Sequence, residues 1–337
     1  GDTLAPLNLR VLDPACGSGT FLILTINRLK EYAEEHYLKD VLADYLLKNV
    51  VGFDLNPLAA LTARTNYLLT IADLLGYVKG PVEIPIYLAD SLLIETKQTL
   101  SEVAYVTTYT ITHYVGEFER PKSIVDKGLL NRLLDAIDRY VRLRYRPEDF
   151  KQIALKDFNL DRDELKLLGD LYAKFLKLEE EDRNHVWSSI IRNAFAPLTV
   201  VSSHGRFDYV IGNPPWINWE SLPEDYREKT KNVWGWYGLL EKTKGMGLGK
   251  VKRDMAMLFL TRCLDRYVEN QGKLAFLIPF TVFKTQAGAG FRKFLARGYW
   301  KSDEDNAPCK VLKVHDLVTL FPFEGAINRT SLVVVEK

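Results

Sequence analysis

Asn213-Pro214-Pro215-Trp216 follows directly on the apolar run Phe207 to Ile211, and its residue types suit the capture of an exocyclic amine. The Asn213 side-chain oxygen and the main-chain carbonyl of Pro214, at the rigid Pro-Pro pair, offer two acceptors to one NH2 group. Trp216 adds a flat face for stacking. These are tools for a nucleobase. Far upstream, Leu12-Asp13-Pro14-Ala15-Cys16-Gly17-Ser18-Gly19-Thr20-Phe21 reads as a strand end, a glycine turn and a helix start, the usual place to hold a nucleotide-like cofactor. In one chain, the two elements imply a methyl donor brought to an amino group on a base.

The glycine turn is narrowed by what it lacks. A dinucleotide fingerprint wants a third glycine three places after the second, where this chain has Leu22, so nicotinamide and flavin are disfavoured. No Gly-Lys-Ser/Thr follows, so it is not a phosphate-cradling P-loop. Asp54, at the end of the apolar run Val50 to Phe53, can accept both hydroxyls of a ribose. A cap on the following helix is the plainer role, although Asn56 stands better placed for it ahead of Pro57. Asp90, in Leu88-Ala89-Asp90-Ser91, can accept from an adenine amino group, and turn chemistry alone would also explain an Asp-Ser pair. Asp13, Asp54 and Asp90 are three acidic strand ends on one sheet edge. They suit a cofactor carrying an ammonium, a ribose diol and an adenine, as S-adenosylmethionine does.

The elements that must position these residues alternate. Short apolar runs at Leu9 to Leu12, Val50 to Phe53, Ile84 to Leu88, Phe207 to Ile211, Leu274 to Ile278, Val311 to Val314 and Leu332 to Val335 predict seven strands. Helical periodicity falls over Thr20 to His36, Pro57 to Leu75, Asp254 to Val268 and Gln286 to Leu295. Such alternation argues for an α/β fold with a parallel, doubly wound sheet that binds ligands at the carboxyl ends of its strands. Between Ser91 and Ser203 the pattern breaks. Val103 to Val115 alternates like a hairpin or ladder strand, and Lys127 to Ala196 has a helical period. The division expected is a cofactor-binding half over 1–94, a mainly helical insertion over 95–202 and a target-base half over 203–337.

The 337 residues are 47% hydrophobic, enough for a sizeable core. No apolar run reaches the roughly 18 residues of a membrane span, and Gly1 to Pro6 lacks the features of a signal peptide, so a cytoplasmic protein without a membrane partner is expected. Cys16, Cys263 and Cys309 are too few and too scattered for a disulfide framework or a zinc site, and no metal is expected. A formal charge of +1 is low for a protein that grips DNA unaided. Basic residues do gather between 227 and 254, among them Arg227, Lys229, Lys231 and Arg253. That run is either a solvated loop or a local phosphate contact.

With both elements in hand, the chain resembles the amino-methyltransferases that methylate adenine N6 in DNA, in particular the gamma group of restriction-modification systems (type IIG or type I modification-subunit-like). Their glycine turn precedes an Asn/Asp-Pro-Pro-aromatic element, the order seen here. Val51 to Pro57 and Ala89-Asp90-Ser91 look like the family's next two motifs, Asp254 to Leu260 and Gly272 to Pro279 like later ones, and Leu320-Phe321-Pro322 like the base-stacking motif before the last strand. The resemblance implies a Rossmann-like seven-stranded sheet with its last strand reversed, S-adenosylmethionine as donor, double-stranded DNA as partner and a flipped-out adenine as target. It implies Asn213, Pro214, Pro215, Trp216 and Phe321 at the target base. On the donor it implies Asp13, Ala15, Cys16, Gly17, Gly19, Phe21, Asp54, Leu55, Asp90 and Ser91. Phe323 rivals Phe321 as the stacking ring, and either Phe, or Trp216, could instead be core.

The chain departs from the family pattern in three ways. The helix and Thr-Pro element usual before the glycine turn, and the target-recognition domain usual after the last strand, are not apparent, and the insertion is larger than a minimal core requires. The expectation is therefore a catalytic fragment that works with a specificity or nuclease module. In the alpha group the recognition domain occupies the insertion interval. Asn213-Pro214-Pro215 and the family-like end favour gamma, with the insertion as a brace or partner surface. Rival functions are methylation of an RNA base or a protein glutamine amide, whose NH2 presents similar hydrogens, and a non-catalytic modification subunit.

Overall fold

The computed structural model describes residues 2–93, 104–111, 114–121, 123–124, 127–181, 187–240, 252–297, 299–302, 305–317, 319–320 and 329–337. They form two compact units, one of Gly1–Leu93 with Arg206–Lys337 and the other of Ile94–Gly205.

The first unit begins with a helical turn, α1 (Ala5–Asn8), that leads into β1 (Val11–Asp13). The chain then runs through α2 (Thr20–Glu35), α3 (Lys39–Asn49), β2 (Val50–Asp54), α4 (Pro57–Thr70) and β3 (Ile86–Leu88). α4 starts where the sequence says it should: Asn56 caps it by accepting from the amides of Leu58 and Ala59, and Pro57 fills a first-turn position that needs no donor. It stops earlier than its periodicity suggests, at Thr70, and a 3-10 helix over Ala72–Tyr77 takes up the rest. Leu22, Ile26, Leu42, Leu46, Ala60, Ala63 and Tyr67 bury their side chains in one apolar cluster beside the sheet.

The second unit opens with a hairpin, β4 (Ala104–Ile111) against β5 (Tyr114–Pro121), paired antiparallel from Ala104–Pro121 to Ile111–Tyr114. Helices α5 (Leu130–Arg142), α6 (Pro147–Phe158), α7 (Arg162–Glu180) and α8 (Trp187–His204) follow. This unit has its own core, in which Leu133, Ile137, Phe150, Tyr172 and Phe175 are buried and the Phe150 and Tyr172 rings stack at 4.1 Å. A capping box between Asp161 and Glu164 fixes the start of α7.

Back in the first unit come β6 (Phe207–Gly212), α9 (Glu224–Trp236), α10 (Met255–Arg266), β7 (Val268–Pro279), α11 (Ala289–Arg297), a hairpin of β8 (Tyr299–Ser302) and β9 (Asp305–Pro308), then β10 (Lys310–Asp316) and β11 (Thr330–Glu336). The seven-stranded sheet has the order β10-β11-β7-β6-β1-β2-β3. β3, β2, β1, β6 and β7 run parallel, whereas β11 is antiparallel to both of its neighbours. This is an α/β, Rossmann-like seven-stranded sheet with its last strand reversed, the arrangement the resemblance implies. Because the register sets Asp13 beside Gly52 and Asp54 beside Leu88, the carboxyl ends of β1, β2 and β3 share one edge with the end of β6. Any site those ends build lies there. Among the described residues no helix is long and apolar enough to cross a membrane.

Candidate active site

A cavity of about 770 Å³ opens at this edge of the sheet. Ala15 of the glycine turn, Asp54 at the end of β2 and Leu55 after it, Asp90 and Ser91 after β3, and Asn213 and Pro215 after β6 all line it. Asp13, Cys16, Gly17, Gly19, Phe21, Pro214 and Trp216 are not on its wall, and Phe321 lies outside the described residues.

The glycine turn works from behind that wall. Gly17 has φ +55° and Gly19 φ +90°, backbone shapes that L side chains rarely adopt, and the second lets the chain enter α2 directly. The Gly17 amide donates to Asp54 Oδ2 at 2.8 Å and the Cys16 amide to the Phe53 carbonyl at 2.9 Å, so the turn is strapped to the end of β2. Phe21 is half-buried on α2. Cys16, Cys263 and Cys309 are buried free thiols, and burial raises all three above the ordinary thiol range.

Each acidic strand end has a distinct environment. Asp54 accepts from two backbone amides, Gly17 on Oδ2 and Asn56 on Oδ1, which leaves each oxygen a second lone pair for a ligand. Asp13 is 1% exposed and accepts from the Ala15 amide at 3.1 Å, while its Oδ2 has no partner among the described residues. Burial pushes the Asp13 carboxyl up to about 7, the Ala15 amide opposes that, and the Asp54 charge adds to it. Asp90 accepts from the amides of Leu92 and Leu93 through Oδ1, and the Tyr226 hydroxyl donates to the same carboxylate. Ser91 is tied down, since its hydroxyl donates to the Pro14 carbonyl and its own carbonyl accepts from the Tyr267 hydroxyl. It fastens β3 to β1.

At the end of β6, Asn213 Oδ1 is buried without a hydrogen-bond partner among the described residues. An orphaned acceptor costs about 1–3 kcal/mol, so its persistence on a cavity wall marks a place for a donor from outside. The half-buried Trp216 donates its indole N–H to the Leu277 carbonyl of β7 at 3.3 Å, which fixes the plane of the ring. The chain beyond it is pinned to the start of α10. The Trp219 amide donates to the Arg253 carbonyl, the Met255 amide to the Ile217 carbonyl, and Arg253 pairs with Glu220 at 2.9 Å. Arg253 is only 2% exposed. It is therefore part of this brace and not of a phosphate-gripping run, and Lys231 pairs with Glu228 at 3.3 Å along α9. Lys242, Lys244 and Lys250 lie outside the described residues.

Several cavity residues are not among the site residues named from the sequence. Ile217, Leu222, Pro223 and Tyr226 come from the segment after Trp216, and Met255 and Phe259 from the first turns of α10. The last pair is an i, i+4 repeat just after the Asp254 cap, a legible signal of one helix face turned to the site. Pro223 followed by Glu224 and Asp225 likewise announces a helix start, and hence α9. Among the described residues no group of three His, Cys, Asp or Glu side chains could hold a metal ion.

Known proteins extend this reading. The Modification methylase CviBIII of Paramecium bursaria Chlorella virus NC1A is 22% identical over 149 residues, 44% of this chain and 30% of that protein. The ATP-dependent Type ISP restriction-modification enzyme LlaBIII, in its DNA-bound structure, shares the fold at a TM-score of 0.50 and 13% identity, covering 98% of this chain and 17% of that one. A nuclease-deletion mutant of the Type ISP enzyme LlaGI, with a DNA substrate mimic, has a TM-score of 0.48 at 14% identity, covering 98% and 20%. The chain thus spans about a third or less of the length of each. The model of the Eco57I restriction-modification methylase matches residues 48–301, from the start of β2 through Asn213 to β8. That match takes in well over half of the sequence, including Asp54, Asp90 and Asn213 on the cavity wall, and the chain belongs to the Eco57I restriction-modification methylase family.

Proposed function

We propose that this chain transfers a methyl group from S-adenosylmethionine to N6 of a flipped-out adenine in double-stranded DNA, as the catalytic part of a restriction-modification or phage-defence system. The observation that carries the reading is Asn213 Oδ1, a buried acceptor without a partner among the described residues, on the same cavity as Asp54 and Asp90. The donor set fits the cofactor: a free lone pair on each Asp54 oxygen for a ribose diol, the Asp90 carboxylate for an adenine amine, and the orphaned Asp13 Oδ2 behind them for cationic charge. The cofactor, when bound, supplies an electrophilic methyl.

The protein's own work is positioning. An adenine amine is a poor nucleophile because its lone pair is delocalised into the ring. The Asn213 side-chain oxygen and the Pro214 carbonyl accept its two N–H groups, draw the nitrogen toward tetrahedral geometry and aim the lone pair into the cavity. No general base is needed for attack, since the amine becomes acidic only as the new bond forms. Flipping the base costs a few kcal/mol, and stacking on aromatic rings, Trp216 among them, offsets it at about 1–3 kcal/mol per ring. The DNA-bound state of the similar LlaBIII structure supports DNA as the partner, and a specificity or nuclease module would complete the enzyme.

Incubation of the purified chain with labelled S-adenosylmethionine and, in parallel, duplex DNA, RNA and protein tests the reading. Label in N6-methyladenine of DNA is expected. Label confined to RNA or to a glutamine amide overturns the DNA assignment.

A further inference from the structure

We infer that Tyr226 is a positioning residue of the donor site, holding the Asp90 carboxylate aimed for the donor's amino group while it ties the target-side segment to the donor-side strand end. The inference rests on the donor-site reading above and goes beyond it, because no motif marks this tyrosine. Tyr226 lies in the first turn of α9 and Asp90 follows β3, yet both line the cavity and the tyrosine hydroxyl donates to the carboxylate.

Asp90 and Tyr226 are both half-buried on the cavity wall. Burial raises the Asp90 carboxyl above its ordinary value, and the amides of Leu93 and Leu92, the Tyr226 hydroxyl and the Lys229 charge all act against that rise. The Tyr226 hydroxyl is itself raised, first by burial and then by the Asp90 charge, so it stays protonated and remains a donor. The titratable groups facing Asp90 are thus Tyr226 and Lys229 from α9 and Tyr267 from the end of α10. Of these, Tyr226 donates directly to the acid. Its backbone belongs to the same stretch as Ile217 and Leu222, which is braced to α10 by Glu220 and Arg253. A hydroxyl in that position links the strand end that would read the donor to the segment that leads back to Asn213.

The test is calorimetric titration of S-adenosylhomocysteine into wild type, Tyr226→Phe, Asp90→Asn and the double variant between pH 5.5 and 8.5. Tyr226→Phe is expected to weaken binding about five- to tenfold at neutral pH, the scale of one net hydrogen bond, since the tyrosine acts on the donor only through Asp90. It should also move the pH midpoint of binding upward, because the remaining carboxyl takes up its proton sooner. In the Asp90→Asn background the same change should have no further effect. Equal affinity and an equal midpoint in Tyr226→Phe overturn the inference, as does weaker binding with an unmoved midpoint, which is what a merely structural tyrosine would give. If wild type itself binds no S-adenosylhomocysteine, the donor-site reading fails and the inference with it.

Discussion

Gly212 and Asp13 face each other across β6 and β1 so closely that a Cβ on the glycine would lie 2.6 Å from Asp13 Oδ1. The residue just before Asn213 is therefore a glycine because the donor-side acid needs the space, and the two halves of the site meet at this pair. Gly212→Ala should displace the Asp13 carboxylate and cost about 1–3 kcal/mol of stability, as overpacking of a tight interior does. Urea denaturation of the variant beside wild type measures this, and an unchanged midpoint would mean that the strand ends shift apart freely.

Asp13 also makes stability depend on pH. Its carboxyl sits at about 7 in the fold, raised by burial, against an ordinary value of 3.8. Above pH 7 it is ionised in both folded and unfolded chains, and the fold bears the whole cost of a buried charge. As pH falls through 7 the folded protein takes up the proton first, so this group's contribution to stability rises until the unfolded chain also protonates near pH 4. Asp254, raised to about 6 by burial, acts in the same direction over a narrower window. Asp13→Asn abolishes the stronger of these two pH effects, so its stability relative to wild type should be greater at pH 8 than at pH 5 by roughly 1–4 kcal/mol. Parallel pH profiles for the two proteins would show that Asp13 is ionised in the fold throughout.

The Glu220–Arg253 pair supports the segment that walls the cavity, with side chains 18% and 2% exposed. Glu220→Ala leaves a buried guanidinium without its partner and should cost about 3–5 kcal/mol, whereas replacing both with apolar residues, Glu220→Leu with Arg253→Met, should recover most of the loss. Chemical denaturation of the three proteins separates these outcomes, and a single variant as stable as wild type would remove the brace from the account.

Much of the fold was legible because buried parallel strands advertise themselves as short apolar runs closed by polar residues. Val50 to Asp54 and Phe207 to Gly212 are such runs, and the seven strands they predict are those of the sheet. Apart from its Pro223 start signal, α9 was not, since among its residues only Thr230 and Trp234 are buried and the rest reads as a charged loop. α3 is amphipathic, with Asp40, Asp44 and Lys48 exposed on one face and Leu42, Ala43 and Leu46 buried on the other, but it runs into β2 at Val50 without a Gly or Pro to mark where it ends. In the site, residues with local signatures were the ones that could be named: the glycine turn by its backbone demands, Asn213 by its prolines, Asp54 and Asp90 by their places at strand ends. Tyr226 has no such signature, because its partner lies at the far end of another strand, and Arg253 reads as one more cation until Glu220 is folded against it.

The central claim is that Asn213 acts on the target amine and not on the donor. Asn213→Ala should bind S-adenosylhomocysteine as tightly as wild type and incorporate no methyl into duplex DNA, with both quantities measured on one preparation. Methyl incorporation at or near the wild-type rate would contradict the account.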